Sequence, residues 1–440
     1  MTSEHTPSPG GKSVEVMIHS LGAQGDGIAA LPDGQPLYVT GALPGEKVEA
    51  QPVSGQKYQL VSVITPASDR VEPPCPLFQS CGGCTLQHMS LPAILEWKTQ
   101  RVVYALKKAG FSDTPVPAQR QVPAHSRRRA DLAIRRNGKN VLVGLHARNS
   151  DQVIDLTSCT IMHPTLMAAL PSVRQTLQSL EGLRQAGEIQ LNLLESGLDI
   201  LLTTDGPLSS GDRTRLASLS ATISAPRISW YQRGTEAYET VAQSGPVYHT
   251  MAGVTVALPP GAFLQATAPS ETWIQDAVLS ALPKKIGKRD KIIELYAGCG
   301  TLSLPLAAHH QVFAYEGYAP AAACLKAVSG GTRLNVECRD LNRQPVMGTV
   351  LKAANVVVLD PPHSGAGLQM RQLTTGKPQH IIYVSCNPAA LAKDAKALHD
   401  AGYRLNSLEV IDQFLWSAET EVVCSFTHGS SRRSRSGLSR

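Results

Sequence analysis

The sequence predicts a chain of mixed β and α/β structure in three units: a small N-terminal barrel, a β-rich central domain and a C-terminal Rossmann-like domain. Its length of 440 residues exceeds what one ordinary hydrophobic core accommodates. Five short runs of alternating apolar residues follow one another near the N-terminus. From about residue 251, strand patterns and helix patterns alternate, as in a doubly wound α/β domain.

Residues 1–12 are predicted to be a flexible leader, and residues 13–68 the barrel. The five runs are SVEVMIHSL, GIAAL, PLYVTGAL, KVEAQPV and YQLVSVI, separated by turn sequences such as PDGQ and LPGE. Five strands in so short a span indicate a barrel of the oligonucleotide-binding (OB) type. Such barrels hold RNA through charge and base stacking.

Residues 69–110 are predicted to form a cysteine-rich loop and a helix. The stretch CPLFQSCGGC (75–84) carries three of the nine cysteines, and SLPAILEWKTQRVVYALKKAG follows as an amphipathic helix. Residues 111–250 contain the strand-like runs RRADLAIRR, VLVGLHAR, EIQLNLL and LDILLTT, with one helix over 164–182. This region is expected to be a β-rich central domain that binds RNA.

Residues 251–428 are predicted to form a parallel sheet with helices on both faces, and residues 429–440 an arginine-rich basic tail. KIIELYAGCG, VFAYEG, ANVVVLDPP and HIIYVSCNP contain continuous apolar strands, which suit strands that are buried on both faces. Ligands of such sheets lie beyond the carboxyl ends of the strands. The candidate site residues are therefore sought at those ends.

Charge and composition favour an RNA partner and a cytoplasmic protein. The formal net charge is +6, and arginines cluster in HSRRRADLAIRR (125–136), where the alternation of a strand would hold them in a fixed array. No apolar run approaches the length of a membrane span, and the polar start lacks the apolar core of a signal peptide. Nine irregularly spaced cysteines do not suggest a disulfide framework.

The first strand end, ELYAGCGT, indicates a nucleoside-binding turn. Gly298 and Gly300 allow a sharp turn and a close backbone approach, and Glu316 at the end of the next strand can accept both ribose hydroxyls. Position 303 is Ser, so the third glycine that supports pyrophosphate binding is missing. S-adenosylmethionine therefore suits the turn better than NAD, and a tight turn beside a surface glutamate is the alternative.

Two further strand ends carry reactive groups. Asp360 lies at a strand tip before two prolines, and Cys386 precedes Asn387 and Pro388, which suit the N-cap and N1 positions of the next helix. The positive end of a helix dipole favours a thiolate, so Cys386 is a candidate nucleophile. A small buried core cysteine is the alternative.

These groups together predict methylation of uracil at C5. Addition of a thiolate to C6 makes C5 able to attack a methyl sulfonium, and a base must then remove the C5 proton. The last strand, in DQFLWSAETEVVC, offers Glu419 and Glu421 as candidate bases. On the residues alone either could be a surface charge.

From about residue 13 to 428 the chain resembles the RNA 5-methyluridine methyltransferases, and within them the iron–sulfur, TRAM-bearing type that acts on 23S rRNA. The motifs that carry the resemblance are GDGIA and ALPGE of a TRAM barrel, SDRVEPPCPLFQSCGGCTLQHM, IDLTSCTIMHP, GAFLQAT, ELYAGCGTLSLPLA, VLDPPHSG and SCNPAALAKD. The resemblance implies an OB-like TRAM barrel, an Fe–S loop and a SAM-dependent methyltransferase domain.

The resemblance also implies roles for individual residues. It makes Cys386 the nucleophile and aligns Glu421, not Glu419, with the base. The cofactor positions it implies are Gln265, Tyr296, Gly298, Gly300, Thr301, Glu316, Asp340 and Asp360. The ligands it implies for a structural [4Fe–4S] cluster are Cys75, Cys81, Cys84 and Cys159.

The chain departs from the family pattern at several positions that flank these residues. Thr267 and Thr301 stand where the family motifs have Asn, His363 replaces Arg, and Leu415–Trp416 replace Pro-His. The nucleophile and the base remain. We therefore expect activity with adjusted contacts to the substrate and the cofactor.

Several alternatives remain open at this level. One is a ribosome-assembly factor that binds RNA without catalysis, and another is the same reaction on tRNA. Cytosine methylation begins with the same thiolate addition, and an electron-transfer enzyme would use the cluster differently. A Cys₄ zinc site could replace the cluster. The protein is expected to act as a monomer.

Overall fold

A computed structural model describes residues 12–31, 33–235, 237–287 and 289–429. The predicted leader before Lys12 and the predicted basic tail after Gly429 lie outside the described residues. Within the described ranges, no helix combines the length and the apolar content that crossing a membrane requires.

The N-terminal unit is a six-stranded sheet in the order β1-β5-β6-β4-β3-β2. The strands are β1 (Val14–Met17), β2 (Ser20–Leu21), β3 (Gly27–Ala30), β4 (Pro36–Thr40), β5 (Lys47–Ser54) and β6 (Lys57–Thr65). The sequence predicted five strands, because SVEVMIHSL was interpreted as one. In the structure β1 pairs with β5 while β2 pairs with β3. The run SVEVMIHSL therefore supplies both edge strands of the sheet, β1 and β2.

The helix predicted after the cysteine loop is α1 (Leu91–Lys108), and β7 (Ala118–Gln121) follows it. Val102 and Leu106 of α1 belong to the core of the C-terminal domain. β7 pairs in parallel with the strand at residues 403–412. The structure thus attaches both elements to the C-terminal sheet, although the sequence placed α1 with the cysteine loop and β7 in the central domain. The apolar stripe of α1 and the backbone of β7 find their partners there.

The central domain is a seven-stranded sheet in the order β10-β9-β8-β11-β12-β13-β14. Its strands are β8 (Arg129–Asn137), β9 (Asn140–His146), β10 (Val153–Asp155), β11 (Ala186–Leu194), β12 (Gly197–Thr204), β13 (Arg227–Gln232) and β14 (Glu239–Gln243). Two helices, α2 (Pro164–Gln178) and α3 (Ser210–Thr222), bury apolar side chains in the same core. The sequence predicted α2, with a later end, but not α3.

A hairpin of β15 (Tyr248–Met251) and β16 (Val254–Ala257) leads into the C-terminal domain. Its remaining strands are β17 (Lys291–Leu295), β18 (Gln311–Glu316), β19 (Leu334–Cys338), β20 (Val356–Leu359), β21 (His380–Ser385), β22 (Tyr403–Asp412) and β23 (Glu421–His428). Its helices are α4 (Ala268–Ser280), α5 (Ser303–Ala307), α6 (Ala319–Ala327), α7 (Gly348–Lys352), α8 (Leu368–Gly376) and α9 (Pro388–Asp400).

The C-terminal sheet has the order β19-β18-β17-β20-β21-β23-β22-β7. The first five strands of this order are parallel, and β23 is antiparallel to both β21 and β22. Buried apolar clusters lie on its two faces. The predicted doubly wound sheet is therefore present, and its parallel strands present their carboxyl ends at one edge.

A small apolar core joins the N-terminal sheet, the cysteine loop, α1 and the loop between β22 and β23. Its buried members include Leu43, Leu86, Met89, Ile94, Leu415 and Trp416. The backbone N–H groups of Thr85 and Leu86 donate to the Trp416 carbonyl at 2.7 and 2.9 Å. The cysteine loop therefore packs directly on the loop that leads to Glu421.

Candidate active site

A cavity of about 480 Å³ lies at the carboxyl ends of β17, β18, β20 and β21, where an open α/β sheet binds its ligands. The sequence predicted ten catalytic and cofactor residues. Eight of them line this cavity: Gln265, Tyr296, Gly298, Thr301, Glu316, Asp360, Cys386 and Glu421. Gly300 and Asp340 are not among the lining residues.

The turn after β17 takes a conformation that favours glycine. Gly298 and Gly300 have φ of +55° and +105°, and Tyr296 also lies in the left-handed region at +66°. The Tyr296 hydroxyl donates to the Ala366 carbonyl at 3.1 Å, which holds the ring in place. The backbone N–H of Gly298 therefore turns towards the end of the neighbouring strand.

Glu316 at the end of β18 fixes this turn. Its two carboxylate oxygens accept from the N–H groups of Gly298, at 2.7 Å, and Tyr318, at 2.6 Å. Each carboxylate oxygen has a second lone pair, so the side chain can still accept hydrogen bonds from a ligand in the cavity. The ribose-binding role of Glu316 stays a prediction.

The remaining predicted cofactor positions differ in their surroundings. A Cβ atom at Gly300 would lie 2.5 Å from the Leu325 side chain, so this glycine permits close packing of the turn on α6. Asp340 accepts from the Asn342 N–H at 2.9 Å, and its role in binding stays a prediction. Thr301 lines the cavity, and its carbonyl accepts from Gln275 at 2.9 Å.

Cys386 lies between β21 and α9. Asn387 caps α9, since its side-chain oxygen accepts from the Ala389 N–H at 2.9 Å, and Pro388 begins the helix, as the sequence predicted. The Asn387 amide also donates to the His363 carbonyl at 3.0 Å. The loops that follow β20 and β21 are thereby joined next to the thiol.

The surroundings of Cys386 do not favour a thiolate. Burial, and then the carboxylates of Glu421 and Asp360, raise the pKa of the Cys386 thiol to about 12. This direction is opposite to the one expected from the helix N-terminus alone. The thiol needs a base or a neighbouring cation before it can act as a nucleophile.

Of the two candidate bases, only Glu421 lines the cavity. Glu421 is buried at the start of β23, and its Oε2 accepts from the Gln413 side chain at 2.6 Å. Its Oε1 is buried and has no hydrogen-bond partner among the described residues. Glu419 is half-exposed, and its Oε2 lies 4.0 Å from Nε2 of His363. The geometry therefore favours Glu421.

Buried carboxyl groups give the cavity an acidic character. Burial raises the pKa of Asp360 to about 7 and, together with nearby carboxylates, the pKa of Glu294 to about 8. Burial and Asp360 also raise the pKa of Glu421 well above its usual range. A cationic ligand would stabilise the ionised forms of these groups.

Comparisons with known proteins identify the family. The tRNA (Uracil-5-)-methyltransferase family matches residues 332–426, and the TRAM domain matches residues 8–51. An uncharacterized RNA methyltransferase of Caulobacter vibrioides is 36% identical over 424 residues, covering 94% of this chain and 99% of the relative. The 23S rRNA (uracil(1939)-C(5))-methyltransferase RlmD of Pectobacterium atrosepticum is 30% identical, covering 96% of this chain and 95% of the relative.

The chain belongs to the RNA (uracil-5-)-methyltransferase family. This confirms the resemblance and the enzyme class predicted from the sequence. The Pyrococcus abyssi tRNA (uracil-54, C5)-methyltransferase, solved in complex with S-adenosyl-L-homocysteine, has the same fold at a TM-score of 0.70 and 18% identity. The match covers 94% of this chain and all of that one.

The rim of the methyltransferase cavity is basic and carries an exposed aromatic ring. Arg127 and Arg129 line the cavity, and the Arg129 guanidinium lies 4.1 Å from the ring centroid of Phe263, whose surface is 62% exposed. The sequence predicted a fixed arginine array here, and the neighbouring Arg128 instead points inwards to an ion pair with Glu271. Phe263 was not singled out, although GAFLQAT contains it.

Two polar residues of the cavity were also missed. Glu294 interrupts the apolar strand KIIEL, and such a buried charge was an available signal of function. Gln413 lies in the loop after β22 and contacts both Gln265 and Glu421. Nothing in the sequence pattern singled out Gln413, because its contact with Gln265 joins segments that are 148 residues apart.

The four predicted metal ligands come together in the methyltransferase. Cys75, Cys81, Cys84 and Cys159 line a cavity of about 290 Å³ between the cysteine loop and the central domain. No three Cys, His, Asp or Glu side chains within the described ranges converge as ligands of a single metal ion. Two further polar atoms at this cavity, Ser158 Oγ and Thr160 Oγ1, are buried without hydrogen-bond partners among the described residues.

The residues that depart from the family pattern lie in different surroundings. Thr267 is the N-cap of α4 and accepts from the Ser270 N–H at 3.1 Å. His363 is exposed beside Asn387, and Leu415–Trp416 are buried in the small core beside the cysteine loop. Thr301 and His363 are the departures among them that line the active-site cavity.

Proposed function

We propose that this methyltransferase transfers the methyl group of S-adenosylmethionine to C5 of a uridine in structured RNA, with 23S rRNA as its substrate. One observation carries the proposal: Cys386 and Glu421 line the same buried cavity as the glycine turn and Glu316. A nucleophile, a base and a nucleoside-binding turn are the parts that C5 methylation requires.

The cavity suits S-adenosylmethionine. Glu316 offers acceptors for ribose hydroxyls, and the absence of a third glycine in ELYAGCGTLS suits a cofactor without phosphates. The buried carboxyl groups of Asp360, Glu294 and Glu421 favour a cation over an anion. When bound, S-adenosylmethionine supplies a positively charged sulfonium with a transferable methyl group.

The residues of the chain then act in sequence. The Cys386 thiol gives its proton to water, and the sulfur adds to C6 of the uracil, which makes C5 nucleophilic. After C5 has gained the methyl group, Glu421 takes the C5 proton, the bond between sulfur and C6 breaks, and the Cys386 thiolate leaves. The raised pKa of Glu421 suits a group that must hold this proton and then release it.

The basic rim and the exposed ring suit a single-stranded or flipped nucleotide. Arg127 and Arg129 can contact phosphates, and Phe263 offers a face on which a base can stack. A uridine must leave its stack before C5 can reach a buried cavity, at a cost of a few kcal/mol. The target is therefore proposed to lie in a loop or a bulge.

The choice of 23S rRNA rests on the relative RlmD, which matches nearly the whole chain. tRNA is the second candidate, because the matching family and the P. abyssi neighbour are both described by tRNA substrates. Transcripts of each RNA, made without modification, are incubated with the protein and S-adenosylmethionine. 5-Methyluridine in one of them and not in the other decides between the two substrates.

The mechanism is tested by two substitutions. Glu421→Gln should form the bond to RNA through Cys386 but release it slowly, so a covalent complex accumulates on denaturing gels. Cys386→Ala should give neither the complex nor 5-methyluridine. If neither RNA gains 5-methyluridine and no complex forms, the proposal fails. If Cys386→Ala sustains the full cellular function, RNA binding and not catalysis is the role of the protein.

The cysteine cavity is proposed to hold a [4Fe–4S] cluster that stabilises the fold. Four thiols line one shared cavity, which suits a group with four iron atoms and four thiolate ligands, and a Cys₄ zinc site is the alternative. The unpartnered hydroxyls of Ser158 and Thr160 can donate to the sulfur atoms of such a group. Protein purified without oxygen should contain iron and sulfide and absorb visible light, and Cys81→Ala should lose both.

A further inference from the structure

The Gln413 side chain contacts both Glu421, the proposed base, and Gln265, a predicted cofactor residue. We propose that Gln413 is the positioning residue that decides which oxygen of Glu421 takes the C5 proton. The inference rests on the proposed function, in which Glu421 is the base. Gln413 itself need not touch the substrate, because it acts through Glu421.

The orientation of the Gln413 amide is fixed by its neighbours. Its Oε1 faces the Ala266 N–H at 3.1 Å and the Ser270 hydroxyl at 2.8 Å. A backbone N–H can only donate, so the atom that faces Ala266 must be the amide oxygen. The amide nitrogen therefore faces the other way, towards Gln265 Oε1 at 3.0 Å and Glu421 Oε2 at 2.6 Å.

This orientation assigns different roles to the two oxygens of Glu421. Oε2 accepts an N–H from Gln413 whether the carboxyl group is charged or neutral. A proton on Glu421 is then favoured on Oε1, because a carbonyl Oε2 accepts the Gln413 N–H better than a hydroxyl Oε2 does. Oε1 is buried and has no partner among the described residues. We therefore assign the transfer of the C5 proton to Oε1.

The backbone around Gln413 is held firmly, as a positioning role requires. Lys98 of α1 forms a buried ion pair with Asp412, and it also donates to the Phe414 carbonyl at 2.9 Å. The residues on both sides of Gln413 are thereby attached to one helix. Gln413 is only 3% exposed, so the protein encloses it almost completely.

The substitution Gln413→Met tests the assignment, because methionine has a similar size and cannot donate to Glu421. In a single turnover, the covalent complex between Cys386 and RNA should form at the wild-type rate. Its breakdown, which needs the base, should be about tenfold slower. The KM for RNA should stay within about twofold of the wild-type value, since Gln413 is proposed to act on the substrate through Glu421.

The pH dependence of breakdown provides a readout that mere destabilisation would not change. Burial and Asp360 raise the pKa of Glu421, and the hydrogen bond from Gln413 opposes them. Loss of that bond raises the pKa of Glu421 further. The rise of the breakdown rate with pH should therefore occur at higher pH in Gln413→Met than in the wild type. The substitution replaces none of the other titratable or charged groups that line the cavity, which are Asp360, Glu294, Glu316, Tyr296, Tyr318, Cys299, Cys386, His363, Arg127 and Arg129.

Gln369→Met is the matched control. Gln369 is equally buried and bonds to the Val346 N–H and carbonyl at 2.9 and 3.0 Å, away from the cavity. Gln369→Met should lower the melting temperature without shifting the pH dependence of the breakdown of the covalent complex. If Gln413→Met proves unfolded by circular dichroism, Gln413→Leu replaces it. Leucine cannot donate to Glu421 and adds no titratable group, so the same shift is expected.

The outcomes separate this inference from the proposed function. Slow breakdown with a shifted pH dependence in Gln413→Met supports the assignment. A pH dependence that coincides with the wild type overturns it, even if Glu421→Gln accumulates the complex. If Glu421→Gln itself accumulates no complex, the base assignment of the proposed function fails, and the role of Gln413 fails with it.

Discussion

At Cys386 two effects on one thiol oppose each other. The N-terminus of α9 favours the thiolate by about 0.3–1 kcal/mol. Burial and the nearby carboxylates raise its pKa to about 12, and each pKa unit corresponds to about 1.4 kcal/mol. Burial and the carboxylates therefore dominate, and the thiol of the free protein stays protonated at neutral pH.

This balance predicts how Glu421 affects the reactivity of Cys386. The Glu421 carboxylate raises the pKa of the Cys386 thiol, so Glu421→Gln should lower it and speed the alkylation of Cys386 by iodoacetamide at pH 8 severalfold. Peptide mass spectrometry measures the rate, with the exposed Cys338 as an internal reference. Glu419→Gln should have a smaller effect, because that carboxylate is half-exposed. Equal rates in all three proteins would contradict the balance.

The buried Glu294 should make folding stability depend on pH. Burial raises its pKa to about 8, and the Ser303 hydroxyl donates to it. The neutral form is favoured in the folded state, so this contribution is complete below the unfolded pKa of about 4.3 and is lost as pH rises towards 8.

Glu294→Gln keeps the acceptor for Ser303 and removes the titration. We expect it to increase the free energy of unfolding at pH 8 by about 2–4 kcal/mol relative to the wild type, with little change near pH 4.5. Urea denaturation at both pH values measures the difference. Glu188→Gln, at an exposed carboxylate, should show no such pH dependence. The same gain at both pH values would show that packing and not ionisation explains the effect.

At this scale, sequence patterns found the residues at strand ends and missed the residues that support them. Cys386 and Asp360 follow continuous apolar strands, so their position at the ligand edge can be deduced. Gln413 and Gln265 are far apart in the sequence, and their contact depends on how two loops fold against each other. Glu316 was predicted as a ribose acceptor, but its second task of holding the turn needs coordinates.

At the scale of elements, α1 holds the loop that carries Gln413 and leads to Glu421. Lys98 forms an ion pair with Asp412 in which neither side chain is exposed, and Arg101 donates to the Ala418 carbonyl. Gln121 of β7 adds a hydrogen bond of 3.0 Å to Asp412. The segment between the cysteine loop and the central sheet thus stabilises the loop between β22 and β23, which carries Gln413 and leads to Glu421.

Removal of Lys98 should therefore be costly. Lys98→Met leaves Asp412 as an uncompensated buried charge, which should lower the free energy of unfolding by about 3–5 kcal/mol. Lys98→Met combined with Asp412→Leu should recover much of that loss, because no unpaired charge remains. Chemical denaturation of the wild type and the two variants measures both effects. If the double variant is less stable than Lys98→Met, the ion pair is not the reason for the loss.

Two causes explain the elements that the sequence misassigned. α3 has a weak apolar stripe but a capping box of Ser209 and Asp212, so its start could have been found from S-x-x-D. β7 has only four residues and no alternating pattern, and its strand character comes from pairing with β22. The split of the first run into β1 and β2 likewise follows from pairing with two different strands. Long, strongly patterned elements were predictable, and short ones that depend on tertiary partners were not.

At the scale of the whole molecule, Arg127 lies between the two cavities. It lines both the active-site cavity and the cysteine cavity, and its Nε donates to the Arg129 carbonyl at 2.9 Å. The cysteine loop also donates backbone hydrogen bonds to the Trp416 carbonyl in the loop between β22 and β23. The cysteine cavity and the active site are therefore connected through the start of β8 and through the loop before β23.

The basic run 125–136 should contribute unequally to RNA affinity, although its arginines look alike in the sequence. Arg129 lines the cavity rim beside Phe263, whereas Arg136 donates to carbonyls at the end of α2, those of Leu177 at 2.7 Å and Gln178 at 3.0 Å. An arginine that neutralises one phosphate of single-stranded RNA changes the slope of log affinity against log salt by about 0.7. Arg129→Gln should reduce that slope by about this amount and weaken binding at low salt.

Arg136→Gln removes the same charge, so it is the matched control for net charge. It should lower the melting temperature, because carbonyls at the end of α2 lose their donor, while the salt slope stays at the wild-type value. Fluorescence anisotropy with a labelled single-stranded RNA at several salt concentrations measures both slopes. Equal slopes for the two variants would mean that RNA responds to the total charge of the molecule and not to the cavity rim.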